Sequence, residues 1–262
     1  MLERPDPETA AALARLYDLD LESDPGDLDL YLALADRADG QVLELGAGTG
    51  RLAVPIAAAG HPLTAVDLDP AMLARGRDRA TDAGLRDDAI RWVEADLLDV
   101  RLDDAGRYAF AFLALNSIML LPTRAAQRAA FRTLADHLTA GGLAAVDAWL
   151  PDADDLARFD GRVILEWPRT DVERGVVVTK AGSAIHDAAT GTIHLTAIYE
   201  ESGQGEPVRR WVRHDRLRLV SADELASFAE DAGLEVELVA GGYDLQPLGP
   251  GADRAIVIAV RP

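Results

Sequence analysis

Val42-Leu43-Glu44-Leu45-Gly46-Ala47-Gly48-Thr49-Gly50 decides how the whole chain reads. Four residues of strand character run into three glycines at alternate positions, and a helical pattern over 51–59 follows. That is the context in which a glycine-rich loop binds a ligand. Glycine lets the backbone turn sharply and leaves bare main chain against which a ligand can lie. The helix start beside it offers N–H groups with no partner inside the helix.

Outward from this stretch, short apolar runs alternate with helical ones. Strands are expected over 63–66, 90–93 and 108–115, and a fifth is expected to begin at 143–146. Helices are expected over 70–83 and 123–139, the latter with Phe131, Leu134 and Leu138 on one face and Gly141-Gly142 as its stop. The 108–115 run is almost wholly apolar, as a central parallel strand should be. Alternation of this kind implies an α/β fold, a doubly wound parallel sheet with right-handed crossovers.

Residues 160–220 break the rhythm. Strands are expected over 162–167, 176–180, 192–200 and 208–219, divided by turns such as Asp187-Ala188-Ala189-Thr190-Gly191 and Ser202-Gly203-Gln204-Gly205. This is an antiparallel β-meander inserted into the sheet-and-helix pattern. Alternation then returns, with Ser221 and Glu224 as a capping box, Gly233 as a helix stop, and strands over 234–239 and 255–260. Upstream, residues 7–38 read as two helices parted by Asp24-Pro25-Gly26. The expected organisation is a helical lid at 1–40, a cofactor-binding core at 41–158 and 221–262, and an antiparallel insertion at 159–220 that serves the acceptor pocket or a dimer contact.

Composition narrows the partners. The 262 residues carry 26 basic and 45 acidic side chains, for a net charge of −19. A polyanion or an anionic membrane is repelled by such a field, so neither nucleic acid nor membrane is expected as a partner. No cysteine is present, which removes thiolate chemistry and sulfur-ligated metals. No metal site is expected, since no cluster of His and carboxylate spacing appears. The opening residues show no signal-peptide pattern, and a cytoplasmic location is the expectation.

Two ligand classes use a loop like 46–50. A dinucleotide requires Gly-x-Gly-x-x-Gly with pyrophosphate on the helix end. Here the third glycine comes one residue early, at Gly50, and Arg51 takes the sixth place. Glu44 inside the strand has no role with a pyrophosphate. A carboxylate there suits S-adenosylmethionine, which carries a sulfonium and an ammonium and no phosphate. Asp67 ends the second strand, where it can accept both ribose hydroxyls, and Leu68 and Met72 can cover the adenine. Asp96 and Leu97 follow the third strand, placed for the adenine edge. Leu115 and Asn116 end the fourth. The predicted cofactor site is thus Glu44, Gly46, Ala47, Gly48, Thr49, Gly50, Asp67, Leu68, Met72, Asp96, Leu97, Leu115 and Asn116, at the carboxyl rim where ligands bind in open α/β sheets.

These residues resemble the class I S-adenosylmethionine-dependent methyltransferase superfamily. Glu44 to Gly50 is similar to its first motif, Asp67 to its second, Asp96-Leu97 to its third, Phe112 to Asn116 to its fourth, and Leu138 to Leu143 to its entry into strand five. The resemblance covers about 41–150 and 221–262. It implies a Rossmann-like seven-stranded sheet of order 3-2-1-4-5-7-6 with the seventh strand antiparallel. The insertion and the N-terminal helices are similar to the small-molecule branch that includes amino-sugar N-methyltransferases and glycine or sarcosine N-methyltransferases. In that branch an N-terminal tyrosine covers the cofactor, which implies Tyr17 and, second, Tyr31.

The expected reaction is transfer of a methyl group to nitrogen or oxygen of a small molecule by in-line displacement, releasing S-adenosylhomocysteine. Alternatives are a nicotinamide-dependent oxidoreductase, or a protein of the same fold that binds the cofactor without transferring methyl. His214 is the candidate base, with Asn116 and Asp147 beside it. Tyr31, Trp149, Trp211, His214 and Tyr243 are the candidate acceptor residues. His61, His137 and His186 read as surface histidines, while His194 lies on a meander strand opposite Ile193 and Leu195. The meander's sheet edges make a homodimer the expected assembly, if there is one.

Overall fold

The structure, a computed structural model, describes residues 5–22, 25–203, 205 and 207–262. Asp24 of the expected first turn and Gln204 of the meander turn lie outside them. The elements are α1 (Pro7–Asp20), α2 (Leu28–Ala38), β1 (Val42–Leu45), α3 (Ala53–Ala58), β2 (Leu63–Asp67), α4 (Pro70–Asp82), β3 (Ile90–Glu94), β4 (Tyr108–Leu113), a single 3-10 turn (Ser117–Leu120), α5 (Arg124–His137), β5 (Leu138–Trp149), α6 (Ala153–Arg158), β6 (Asp160–Asp171), β7 (Val176–Asp187), β8 (Thr192–Ser202), β9 (Arg209–Arg218), α7 (Ala222–Asp231), β10 (Glu235–Ala240) and β11 (Arg254–Val260).

The chain divides into two units. One combines α1 with Pro151–Leu219; the other is Pro25–Leu150 with Val220–Pro262. The expected N-terminal piece 1–40 is therefore split, because α1 packs on the inserted sheet while α2 belongs with the doubly wound sheet.

In the larger unit the sheet order is β10-β11-β5-β4-β1-β2-β3, the order the family resemblance implies. Val42 pairs with Leu63 on one side and Phe110 on the other, both in parallel. β11 is antiparallel to β5 and to β10. The β4 residues Phe110, Ala111, Phe112 and Leu113 are fully buried, as a central strand covered on both faces must be. Each such large side chain contributes about 1.5–3 kcal/mol of burial. Several helix starts carry side-chain caps: Asp69 takes the Ala71 N–H before Pro70, Thr123 takes that of Ala126, and Ser221 with Glu224 forms the expected capping box.

Three local expectations are corrected. The glycines Gly141-Gly142 do not stop α5; the helix ends at His137, and β5 starts at Leu138. Its register on β4 slips, with Tyr108 opposite Leu138 and Phe110 opposite Leu143. The looped-out residues bond to Arg261 instead, the Gly141 N–H donating at 2.7 Å and the Gly142 carbonyl accepting at 2.9 Å. A Cβ on Gly142 would lie 2.9 Å from the Thr139 carbonyl. His137 is not on the surface. It is fully buried, Nδ1 lies 2.7 Å from the Thr133 carbonyl, and Nε2 accepts from the Leu102 N–H at 3.4 Å. Finally, α6 was not anticipated, although Asp152 and Asp155 form a reciprocal capping box.

The smaller unit is a four-stranded antiparallel sheet of order β6-β7-β8-β9. β6, β7 and β8 are longer than expected while β9 falls within its expected 208–219, and β7 runs to Asp187 through the small residues Ala181-Gly182-Ser183-Ala184. Leu16 of α1 is fully buried in a cluster with Val176, Val178 and Tyr199. Beside it, Arg15 is buried against both Asp171 and Glu201. Asp20 accepts from the Trp167 indole at 3.0 Å and from Lys180, the sole lysine of the chain, at 2.6 Å. Among the described residues, no helix is long and apolar enough to cross a membrane.

Candidate functional site

The parallel strands of the larger unit end at one rim, and their connections supply its polar groups. After β1 the chain turns through Gly46, Gly48 and Gly50 with φ of +69°, +55° and +72°, the left-handed region that only glycine enters cheaply. Gly50 has a second reason to be glycine: a Cβ there would lie 2.7 Å from the Trp92 ring. Between them Ala47 and Thr49 are buried, and the Ala47 N–H donates to the Val66 carbonyl at 2.9 Å.

Asp67 ends β2 and ties the loop down. One carboxylate oxygen accepts from the Gly48 N–H at 2.7 Å and the other from the Asp69 N–H at 2.9 Å. Burial pushes its carboxyl above the usual range, and the two N–H donors pull the other way. An ionised carboxylate has about four lone-pair sites, so both oxygens of this half-buried group keep capacity for further donors.

Glu44 is 4% exposed, and its Oε2 is buried with no hydrogen-bond partner. Burial raises its carboxyl well above the ordinary value, against the attraction of Arg51. Arg51 itself forks onto Asp27, at 2.5 and 2.6 Å, and Asp27 is fully buried. After β3, Asp96 is exposed and accepts the Leu98 N–H at 2.9 Å. Leu97 and Met72 are half-buried, and Leu68 is half exposed.

After β4 the chain enters the left-handed region twice in succession without glycine, at Leu115 (φ +50°) and Asn116 (φ +64°). Such residues cost of order 1–3 kcal/mol each and persist only where the surroundings fix them. Asp147 at the end of β5 does the fixing. Fully buried, it accepts from the Leu115 N–H at 2.7 Å, the Tyr31 hydroxyl at 2.7 Å, the Tyr243 hydroxyl at 3.1 Å and the Arg254 guanidinium. Asn116 Oδ1 accepts from the Trp149 N–H at 2.6 Å and from Arg254 at 3.3 Å. Burial raises the Asp147 carboxyl, Arg254 opposes it, and the Tyr31 hydroxyl is held well above its ordinary range by burial and this carboxylate.

Several expected roles change with this geometry. Asp147 has four donors on its two oxygens and serves as the hub of a turn, which leaves it no lone-pair site for an acceptor. Tyr31 is fully buried and packs tilted against Phe112 with ring centroids 4.7 Å apart, so it belongs to the core. The Tyr243 ring already carries Arg254 at 4.5 Å. Trp149 is half-buried at the rim. Tyr17, Trp211 and His214 belong to the other unit. There Tyr17 lies on α1 near Arg213, Trp211 packs in the Leu16 cluster, and His214 is exposed with Nδ1 3.0 Å from the Thr196 hydroxyl. Arg254 was missed. Its signal was the implied antiparallel last strand, whose first residue must lie at the carboxyl rim; it pairs with Trp149.

Residues 42–142 match the family model described as a methyltransferase domain. This segment is a methyltransferase domain. The cypemycin N-terminal methyltransferase of a Streptomyces species is similar to the chain, 29% identical over 226 residues and covering 84% of this chain and 82% of that protein. An S-adenosylmethionine-dependent methyltransferase from Clostridium acetobutylicum superposes with a TM-score of 0.79 at 15% identity, over 95% of this chain and 98% of the other. The sugar N-methyltransferase KedS8 from Streptoalloteichus does so with a TM-score of 0.75 at 21% identity, over 94% and 92%. At such identities the two structures share the fold. The glycine loop, Asp67, Asp96 and Asn116 all fall inside the methyltransferase domain; Asp147, Tyr243 and Arg254 lie beyond its matched residues.

Proposed function

We propose that the chain is an S-adenosylmethionine-dependent methyltransferase acting on an amine nitrogen of a small molecule. The observation that carries the cofactor is the pairing of a left-handed glycine loop with two under-partnered carboxylates, Glu44 and Asp67, at one rim. A buried carboxylate oxygen with no donor is costly, and a cationic ligand beside it recovers that cost. Asp67, anchored by two backbone N–H groups, is stiff and suits the two hydroxyls of a ribose. Asp96 and the Leu97 N–H suit an adenine edge, and Leu68 and Met72 its face.

The bound cofactor supplies a methyl carbon already activated by a sulfonium. What this chain's residues add is position. Aligning donor and acceptor is worth roughly 7–11 kcal/mol, and the turn at Leu115-Asn116, over-determined by Asp147, Arg254 and the Trp149 N–H, is the rigid feature beside the glycine loop. A neutral amine brings its own lone pair and needs no strong base. KedS8 is a sugar N-methyltransferase and the cypemycin enzyme an N-terminal methyltransferase; a nitrogen acceptor in the first and a chain terminus in the second support an amine over oxygen. Incubation with methyl-labelled cofactor and a panel of amines, phenols and carboxylic acids, read by mass spectrometry, tests it. Label in amines alone supports the reading; label confined to oxygen overturns it.

A further inference from the structure

Asp27 stands where α2 begins, at the position that caps a helix, and aspartate is among the best residues for that task. Yet its side chain makes no hydrogen bond to the first turn of α2. Both oxygens turn to Arg51, Oδ1 accepting from Nη1 at 2.5 Å and Oδ2 from Nη2 at 2.6 Å. The Asp27 side chain is wholly buried and that of Arg51 is nearly so. A bidentate fork of this kind fixes the planar guanidinium in one orientation.

Arg51 has a second carboxylate within its field. It directly follows Gly50, and its charge attracts Glu44. Glu44 accepts the Ala53 N–H, while its Oε2 has no donor. The other charges that Glu44 feels are Asp27 and Asp67, both repelling it. Three carboxylates thus share one guanidinium, and the fork decides which of them holds it. A guanidinium turned onto Oε2 would satisfy that atom and fill the place of a cationic ligand. A mere tie between α2 and the glycine loop does not explain why a costly unpaired oxygen is left beside it.

We propose that Asp27 is a positioning residue for cofactor binding: by holding both Nη atoms of Arg51 it keeps that guanidinium off Glu44, so that Glu44 Oε2 stays open to the cationic methyl donor. This rests on reading the rim as an S-adenosylmethionine site. Asp27 itself touches no ligand; it acts through Arg51.

A cycle of the native full chain, Asp27→Asn, Glu44→Gln and the double variant tests it. By calorimetry, Asp27→Asn should weaken S-adenosylmethionine binding about tenfold or more, the size of one lost hydrogen bond to a charged group, because Arg51 then lies on Glu44. In the Glu44→Gln background the same change should weaken it less than about twofold, the margin within which independent changes add. Urea unfolding without ligand should couple in the opposite sense. Asp27→Asn should lower the midpoint slightly in the native background, where the guanidinium moves to a second acid, and markedly in Glu44→Gln, where that acid is gone. Equal losses of affinity in both backgrounds, or none in either, overturn the proposal. So does an Asp27→Asn chain that fails to fold, since the released guanidinium has a carboxylate to fall on. A native chain that binds no cofactor sinks the S-adenosylmethionine reading, and the ligand-free cycle still judges Asp27: additive midpoints show that it does not divert Arg51.

Discussion

The rim of the seven-stranded sheet and the inner face of the four-stranded sheet both bury carboxylates, and they treat them in opposite ways. Under α1, Asp171 and Glu201 each face the Arg15 guanidinium, and Asp20 takes Lys180 and the Trp167 indole. At the rim, Glu44 keeps an oxygen with no hydrogen-bond donor and feels Arg51, whose guanidinium is forked onto Asp27, while Asp67 meets only backbone N–H groups. A buried acid that meets its cation inside the chain is scaffold. One that does not is either a defect or a group kept for a ligand, and the left-handed glycine loop beside it favours the ligand. Asp147 lies between these cases: it is at the rim, yet its donors are all internal, so it holds the turn and leaves binding to its neighbours.

The comparison can be broken by substitution. Arg15→Ala leaves two buried carboxylates without their cation and should destabilise the chain by about 3–5 kcal/mol, read by chemical denaturation, with cofactor affinity unchanged if the variant is held folded. An unchanged midpoint would show the α1 cluster to be ornamental. Asp67→Ala should weaken S-adenosylmethionine binding roughly a hundredfold, about 2–3 kcal/mol for lost charge-assisted contacts, by calorimetry; an unaltered Kd rejects its role. Glu44→Gln should act in opposite directions on fold and ligand. Burial raises the Glu44 carboxyl in the folded chain, so between its unfolded and folded values the folded state binds more protons than the unfolded one. Stability therefore falls as pH rises through that window. The glutamine variant should lose this slope, melt higher at pH 8, and bind the cationic cofactor more weakly; a lower melting point at pH 8 would show that the carboxylate is internally satisfied. His214→Ala is the smallest change. The residue is exposed and bonded to Thr196, so stability should shift by less than about 0.5 kcal/mol, with turnover retained. A large fall in kcat would restore His214 as the base.

The sheet order followed from the family resemblance, whereas the positions of Glu44, Asp67, Asp96 and Asn116 at the carboxyl rim were legible because each lies within a few residues of a strand whose period announces it. What was not legible depended on distant partners. Asp147 was grouped with the candidate catalytic residues, since nothing local shows that Tyr31, Tyr243 and Arg254, from three separate segments, converge on it. Tyr31 was misread for the same reason, its hydroxyl being the one polar atom in an aromatic stack. The bulge at Gly141-Gly142 reads locally as a stop and becomes part of a strand only because Arg261 bonds to it. His137 sits beside a core-facing leucine, and its burial is decided by the Leu102 segment that covers it.

Calorimetric titration of the full chain with S-adenosylmethionine and with S-adenosylhomocysteine is the direct test of the central claim. The account predicts saturable one-to-one binding of both, with the charged donor losing more affinity than its neutral product in Glu44→Gln. No heat from either ligand at millimolar concentration would contradict it.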